Sequence, residues 1–170
     1  MSKLHVNWET YYQYCEQLAV QIAASDWPFD HIVGIARGGI RAADVISRLY
    51  QRPLAILVTS SYREQAGTTQ GALQIATSLS MTAETLAGRV LLVDDLVDSG
   101  VTLQATVPEL RKRYPQISEL RTAVIWQKAQ STFIPYYCAQ RLLDNPWIVQ
   151  PFEHYDEFSL PELIKRYCMS

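Results

Sequence analysis

A chain of 170 residues fits one folded domain with a substantial core, or at most a domain with a small appendage. Hydrophobic residues at 48% and charged residues at 19% exclude a disordered chain, and a net charge of -2 argues against a general binder of nucleic acid or anionic membrane. A small anionic ligand stays compatible with that balance, because a single pocket can be positive while the whole is not.

Cys15, Cys138 and Cys168 lie far apart and match no metal-binding spacing. Odd in number, and without an amino terminus of the secretory type, they read as reduced thiols. No apolar run reaches the roughly 20 residues that span a bilayer. The expectation is one domain over residues 1–170, cytoplasmic, with no membrane insertion.

In chain order, Trp8, Tyr11, Tyr12, Cys15, Leu18, Ala19 and Ile22 fall at helical spacing, with Asn7 as N-cap and Pro28 closing the element. "HIVGIA" (His31–Ala36) reads as a buried strand, followed by Arg37-Gly38-Gly39 and an apolar helix ending near Leu49. "PLAILVTSSY" (Pro53–Tyr62) is a second strand, running into a polar, aperiodic loop from Arg63 to Gly71 that is expected to be mobile. "ALQIATSL" (Ala72–Leu79) is a candidate strand, and Gly88 marks the turn before the strand Val90–Val93. A helix starts near Thr102, with a kink or break expected at Pro108. "LRTAVIW" (Leu120–Trp126) is the next strand, and Ser159 with Glu162 forms a capping-box pattern ahead of a short terminal helix. Strands alternating with helices imply a mostly parallel twisted sheet flanked by helices. Ligands bind such sheets at the carboxyl ends of the strands. Arg37-Gly38-Gly39, Ser60-Ser61-Tyr62, Asp94-Asp95 and Lys128 all fall there.

The most informative run is "VLLVDDLVDSGVTL", Val90–Leu103. Carboxylates cannot be buried without compensation, so Asp94 and Asp95 belong at the rim of the sheet, paired, hydrated or on a ligand. Adjacent acids suit a pair of sugar hydroxyls, or a metal held through water. Ser99-Gly100-Val101-Thr102 then offers amides and hydroxyls at a helix start, which suits a phosphate monoester. An acid pair alone is equally compatible with a Walker-B-like element, but no Walker A sequence is present, and Asp98 alone fits a simple N-cap.

Taken whole, Val90–Leu103 resembles the phosphoribosyl-pyrophosphate (PRPP) signature of the type I phosphoribosyltransferases. The resemblance implies that fold with a small C-terminal hood, Asp94 and Asp95 on the ribose hydroxyls, and Asp98, Ser99, Gly100, Val101 and Thr102 around the 5'-phosphate. "GIARGGIRAADVIS" resembles the pyrophosphate loop of the purine branch. It assigns Ala36, Arg37, Gly38 and Gly39 to the leaving group, with a cis peptide before Arg37. "TSSYREQ" is similar to the flexible loop of this family and assigns Ser61 and Tyr62 to closure over the reacting centre. "VIWQKAQ" and "DNPWIVQPFE" resemble the bacterial xanthine-guanine phosphoribosyltransferases, implying Lys128 on an exocyclic oxygen of the base, Trp147 stacked on its face and the Ile148 carbonyl on its edge. Resemblance runs from Val6 to Glu153; the tail from His154 matches nothing, and Ala36 stands where a hydroxyl residue is common.

The function so implied is transfer of the 5-phosphoribosyl group from PRPP to a 6-oxopurine (guanine, xanthine or hypoxanthine). Mg2+ is the cofactor, near Asp95 through water; Asp98 and Arg37 are the catalytic residues. Homodimers or homotetramers are usual in the family, and no nucleic-acid partner is expected. Two rivals stand beside it: a same-fold regulator that senses PRPP or nucleotide and binds nucleic acid, using Arg111, Lys112 and Arg113, and a transferase for a different nucleobase.

Overall fold

The computed structural model of the protein describes residues 2–63 and 70–168. Its elements, in order, are β1 (Lys3–His5), α1 (Trp8–Ala24), β2 (His31–Ala36), α2 (Ile40–Tyr50), β3 (Leu54–Arg63), β4 (Gln70–Ile75), β5 (Gly88–Val97), α3 (Val101–Arg113), β6 (Ile117–Gln127), β7 (Tyr137–Arg141), β8 (Trp147–Val149), α4 (His154–Glu157) and α5 (Leu160–Cys168). The chain divides into two compact units, one of Tyr14–Asn145 and one of Met1–Gln13 with Pro146–Ser170.

The larger unit holds a six-stranded sheet in the order β4-β3-β2-β5-β6-β7. Every pairing is parallel except β3 with β4, so the expected mostly parallel sheet is present. Strands β2 and β5 are central and consist of apolar runs, because a strand covered on both faces has no solvent side to alternate toward. Val33, Ile35, Leu57, Val90, Leu92, Leu103, Leu110, Leu120 and Val124 pack into one buried cluster. Gly34 lets α2 lie close on β2: a Cβ there would sit 2.7 Å from the Cβ of Ala43.

Three local expectations change. The helix α1 ends at Ala24, before Pro28 is reached, although Asn7 does cap its start, with Oδ1 accepting the Thr10 N–H at 2.8 Å. The candidate strand at Ala72–Leu79 is shifted: β4 runs Gln70–Ile75 and pairs antiparallel with β3, which sets its register. Residues 64–69 of the expected mobile loop lie outside the described residues. Pro108 sits inside α3 without ending it. Pro108 has no N–H for the Gln104 carbonyl, and both residues are exposed, where water can satisfy a freed acceptor.

Connectivity places the crevice. From β2 the chain crosses through α2 to β3 on one side, and from β5 through α3 to β6 on the other. Between β2 and β5 the winding reverses, which is where the two strand-to-helix turns part and leave room for a ligand.

In the smaller unit β1 pairs parallel with β8, Leu4 opposite Ile148. Trp8 stacks on Tyr12 at 5.8 Å between ring centroids and meets Phe152 at 6.3 Å. The glutamate half of the capping box of α5 is formed: Glu162 Oε2 accepts both the N–H and the hydroxyl of Ser159, each at 2.8 Å, while the Glu162 N–H donates to the Ser159 carbonyl at 3.1 Å. The bonds to Oε2 hold the Glu162 carboxyl below its usual range. The tail from His154 that matched nothing supplies α4 and α5.

Candidate functional site

The acids Asp94 and Asp95 do not follow the strand; they are part of it. Pairing of β5 with β6 continues through Asp94 opposite Val124 to Val97 opposite Gln127. Asp94 is consequently buried, with 8% of its surface exposed, which corrects the expectation of a carboxylate at the solvent rim. Burial pushes its pKa well above the ordinary 3.8, and the neighbouring Asp95 charge adds to the rise. A backbone N–H, that of Asp95 on Asp94 Oδ1 at 3.0 Å, opposes this only in part. Burial and the adjacent acid thus both work against ionisation of Asp94.

Beyond Val97 the chain turns into α3 through Gly100, whose φ of 97° no side chain adopts without strain. Gly100 is itself the cap residue, with no side-chain hydrogen bond to the helix start. Asp98 is therefore not an N-cap. The Val101 N–H has only a long contact, 3.5 Å, to the Ser99 hydroxyl. Residues Asp94–Leu103 line a cavity of about 190 Å³, into which a helix start with so little capping brings partial positive charge.

The Arg37-Gly38-Gly39 turn is pressed against that acidic strand. A side chain at Gly38 would overlap the Asp95 carboxylate, and a Cβ at Gly39 would lie 2.7 Å from both the Asp94 Cα and the Val93 carbonyl. The two glycines thus exist for close approach, not as an ordinary strand-to-helix turn. The Ala36–Arg37 peptide is cis, and Arg37 is exposed. Two segments that are distant in sequence, Ala36–Gly39 and Asp94–Thr102, meet at the switch point of the sheet.

A family model described as the phosphoribosyl transferase domain matches residues 7–157. The chain belongs to the phosphoribosyl transferase family. Its α/β architecture, a mostly parallel sheet flanked by helices, is the type I phosphoribosyltransferase fold. Among solved structures it is similar to a purine phosphoribosyltransferase from Pyrococcus horikoshii Ot3, at 25% identity over 89% of this chain and 95% of that one, with a TM-score of 0.71. It also shares its fold with the xanthine-guanine-hypoxanthine phosphoribosyltransferase of Helicobacter pylori, at 23% identity, 91% and 96% coverage and a TM-score of 0.73. A hypothetical protein of Neisseria gonorrhoeae with bound ppGpp shares the fold as well, at 22% identity, 95% and 93% coverage and a TM-score of 0.71.

In this phosphoribosyltransferase Lys128 lies just past β6, as expected, and its side chain is buried to all but 6%. Its Nζ donates to Asp98 Oδ2 at 3.1 Å, so the two residues assigned to base recognition and proton transfer are in direct contact. Ser61 and Tyr62 lie on β3, whose register pairs Ser61 with Leu73. Trp147 and Ile148 belong to the smaller unit, on β8; Trp147 is 46% exposed and Ile148 is buried.

Four residues escaped the sequence reading. Thr132 donates from both its N–H (3.1 Å) and its hydroxyl (3.0 Å) to the Ser99 carbonyl. Gln104 Nε2 in turn donates to the Thr132 hydroxyl at 2.8 Å. Phe133 fills the space where a Gly100 side chain would be, 2.7 Å from the would-be Cβ. Gln130 donates its side-chain amide to Asp98 Oδ1. "KAQSTF" has no periodicity, and of its residues the resemblance assigned a role to Lys128 alone, so only the folded loop reveals the rest as the brace of the phosphate turn.

Proposed function

We propose that this phosphoribosyltransferase transfers the 5-phosphoribosyl group of PRPP to a 6-oxopurine, releasing pyrophosphate and forming the nucleoside monophosphate. The observation that carries the reading is the contact between Gly38-Gly39 and Asp94-Asp95: it sets a turn suited to the departing pyrophosphate beside acids suited to the ribose diol. Ser99–Thr102 at the start of α3 would take the 5'-phosphate. The P. horikoshii purine enzyme, similar over most of its length, supports the purine choice. Lys128 has three N–H donors; with one on Asp98, others are available to a base oxygen, and an ammonium prefers an oxo to an amino group. Trp147 and the Ile148 carbonyl are assigned by resemblance to the base's face and edge.

In the reaction the C1'–oxygen bond to pyrophosphate breaks as the C1'–nitrogen bond to the purine forms. Electrons of the breaking bond leave with pyrophosphate, beside the Arg37 guanidinium and the turn amides. Asp98 accepts the ring N–H proton, a role typically worth 10²–10⁴-fold. Asp94 and Asp95 take the two ribose hydroxyls, each carboxyl accepting from one O–H.

Asp95, which lines the cavity, has the donor chemistry for Mg2+, an ion that prefers one or two carboxylates together with substrate phosphates and retained waters. Asp95 would hold it through water, and when bound it supplies charge neutralisation to the leaving pyrophosphate. A homodimer or homotetramer in the cytoplasm completes the reading; among the described residues no helix is long and apolar enough to cross a membrane.

Of the regulator's basic run, Arg113 is occupied by Glu109 at 2.7 Å and by the Ala76 carbonyl, while Arg111 and Lys112 are exposed. Incubation with Mg2+, PRPP and guanine, xanthine, hypoxanthine, adenine and uracil tests the proposal. Nucleotide is expected with the 6-oxopurines only. Nucleotide from adenine or uracil instead would move the acceptor. PRPP binding without any product, together with a PRPP-dependent gel shift, would replace the enzyme by the sensor.

A further inference from the structure

Both oxygens of Asp98 are engaged by the segment that follows β6. Lys128 Nζ donates to Oδ2 at 3.1 Å, and Gln130 Nε2 donates to Oδ1. Gln130 is itself anchored: its N–H donates to Asn145 Oδ1 at 2.8 Å, and the adjacent Ala129 N–H reaches the Asp144 carbonyl at 3.3 Å. The Ser131 N–H closes a turn on the Lys128 carbonyl at 3.1 Å. The amide of Gln130 therefore starts from a fixed backbone, and its reach to Asp98 is a placed contact.

That contact does little for folding. Asp98 and Gln130 are both exposed, where a hydrogen bond largely replaces one to water. The start of α3 is made by Gly100, so Asp98 has no capping duty that Gln130 would support. What the pair does accomplish is orientation. The carboxylate torsion of an aspartate is broad, and donors fixed on both oxygens restrict it to one setting while each oxygen keeps a second lone pair. A neutral amide orients the group without adding a second full positive charge beside the atom that is to accept a proton.

We propose that Gln130 is a positioning residue of the transfer reaction: it fixes the Asp98 carboxylate in the orientation that accepts the nucleobase proton. The inference rests on Asp98 being that acceptor, as the proposed function has it. A loop residue to which the resemblance assigns no role then tunes the chemical step and leaves PRPP binding alone.

The test is single-turnover nucleotide formation at saturating Mg2+, PRPP and guanine, with separate PRPP titrations by calorimetry. Gln130→Met keeps the bulk and removes the amide; Gln130→Ala removes both. Each should slow the chemical step about 10-fold while PRPP affinity stays within about 2-fold. Combined with Asp98→Asn, Gln130→Met should cost no more than about 2-fold further, since coupled residues are non-additive. Wild-type speed for Gln130→Met, or the same loss in both backgrounds, would overturn the inference and leave the reading of Asp98 intact. Should Asp98→Asn alone run at the wild-type rate, the acceptor role fails and Gln130's with it. No nucleotide from the wild type with any base would remove the whole reaction.

Discussion

Two polar clusters sit at opposite ends of the same parallel strands, and they are built on opposite principles. At the amino-terminal end of β6, Glu119 accepts the Trp27 indole N–H at 2.7 Å and the Arg121 guanidinium at 2.8 Å. Arg121 also donates to the Tyr137 hydroxyl at 2.9 Å and lies over the Trp27 ring at 4.5 Å. Hydrogen bonds from Trp27 and then Arg121 hold the Glu119 carboxyl below its usual range. At the carboxyl-terminal end of β5, burial and a neighbouring acid drive Asp94 the other way. One cluster compensates its charge within the protein; the other leaves an acid under-compensated in a cavity. The first is what stability asks for, and the second is what a ligand would complete.

The contrast breaks most visibly at Asp98. Asp98→Asn should lower turnover by about 10²–10⁴-fold with PRPP affinity little changed, read by steady-state kinetics and calorimetry. Full activity would reduce the carboxyl-terminal cluster to another structural one. Next in size is Gly39→Ala. Its Cβ meets backbone, 2.7 Å from the Asp94 Cα and the Val93 carbonyl, so strand or turn must shift; a loss of about 1–3 kcal/mol in chemical denaturation is expected, with activity lost alongside. Unchanged stability would mean the turn and the strand are less closely packed than their geometry indicates.

Asp94→Asn should raise Tm and weaken PRPP binding together. Below the ordinary value near 3.8, Asp94 is protonated folded or unfolded and has no effect. Above it the unfolded chain ionises while the folded one keeps its proton, so stability falls as pH rises toward the folded value. The variant escapes that slope and should melt about 2–4 °C higher at neutral pH, with the gap closing toward pH 4. A lower Tm at neutral pH would show Asp94 to be compensated after all. Glu119→Gln is the smallest and has the opposite sign. Its stabilisation is present above the ordinary 4.5 and lost as pH falls through the depressed folded value. The exposed group should cost less than about 1 kcal/mol at neutral pH, with activity untouched, in calorimetric scans from pH 7 to pH 3.

The strands β2, β5 and β6 were legible because each is a continuous apolar run bounded by polar turns. The capping box at Ser159 and Glu162 was legible because it closes over three residues. Strands β1 and β8, of three residues each, and β7, of five, are too short to show a period and are defined by partners far away in the chain. The signature acids were found, but the expectation of a place at the rim failed for Asp94, which is buried while Asp95 is half-buried, since nothing local says how far β6 continues to cover β5.

By itself, then, the order of residues determined what nearest neighbours control: apolar strands, glycines where the backbone turns, caps, and a diol-and-phosphate run recognisable as a family mark. Tertiary structure alone decided that Gly38 and Gly39 touch the acidic strand, that Asp94 is buried with its pKa pushed up, and that Gln130 holds Asp98. Each of these depends on desolvation or on contact between segments far apart in sequence, and neither quantity exists until the chain has folded.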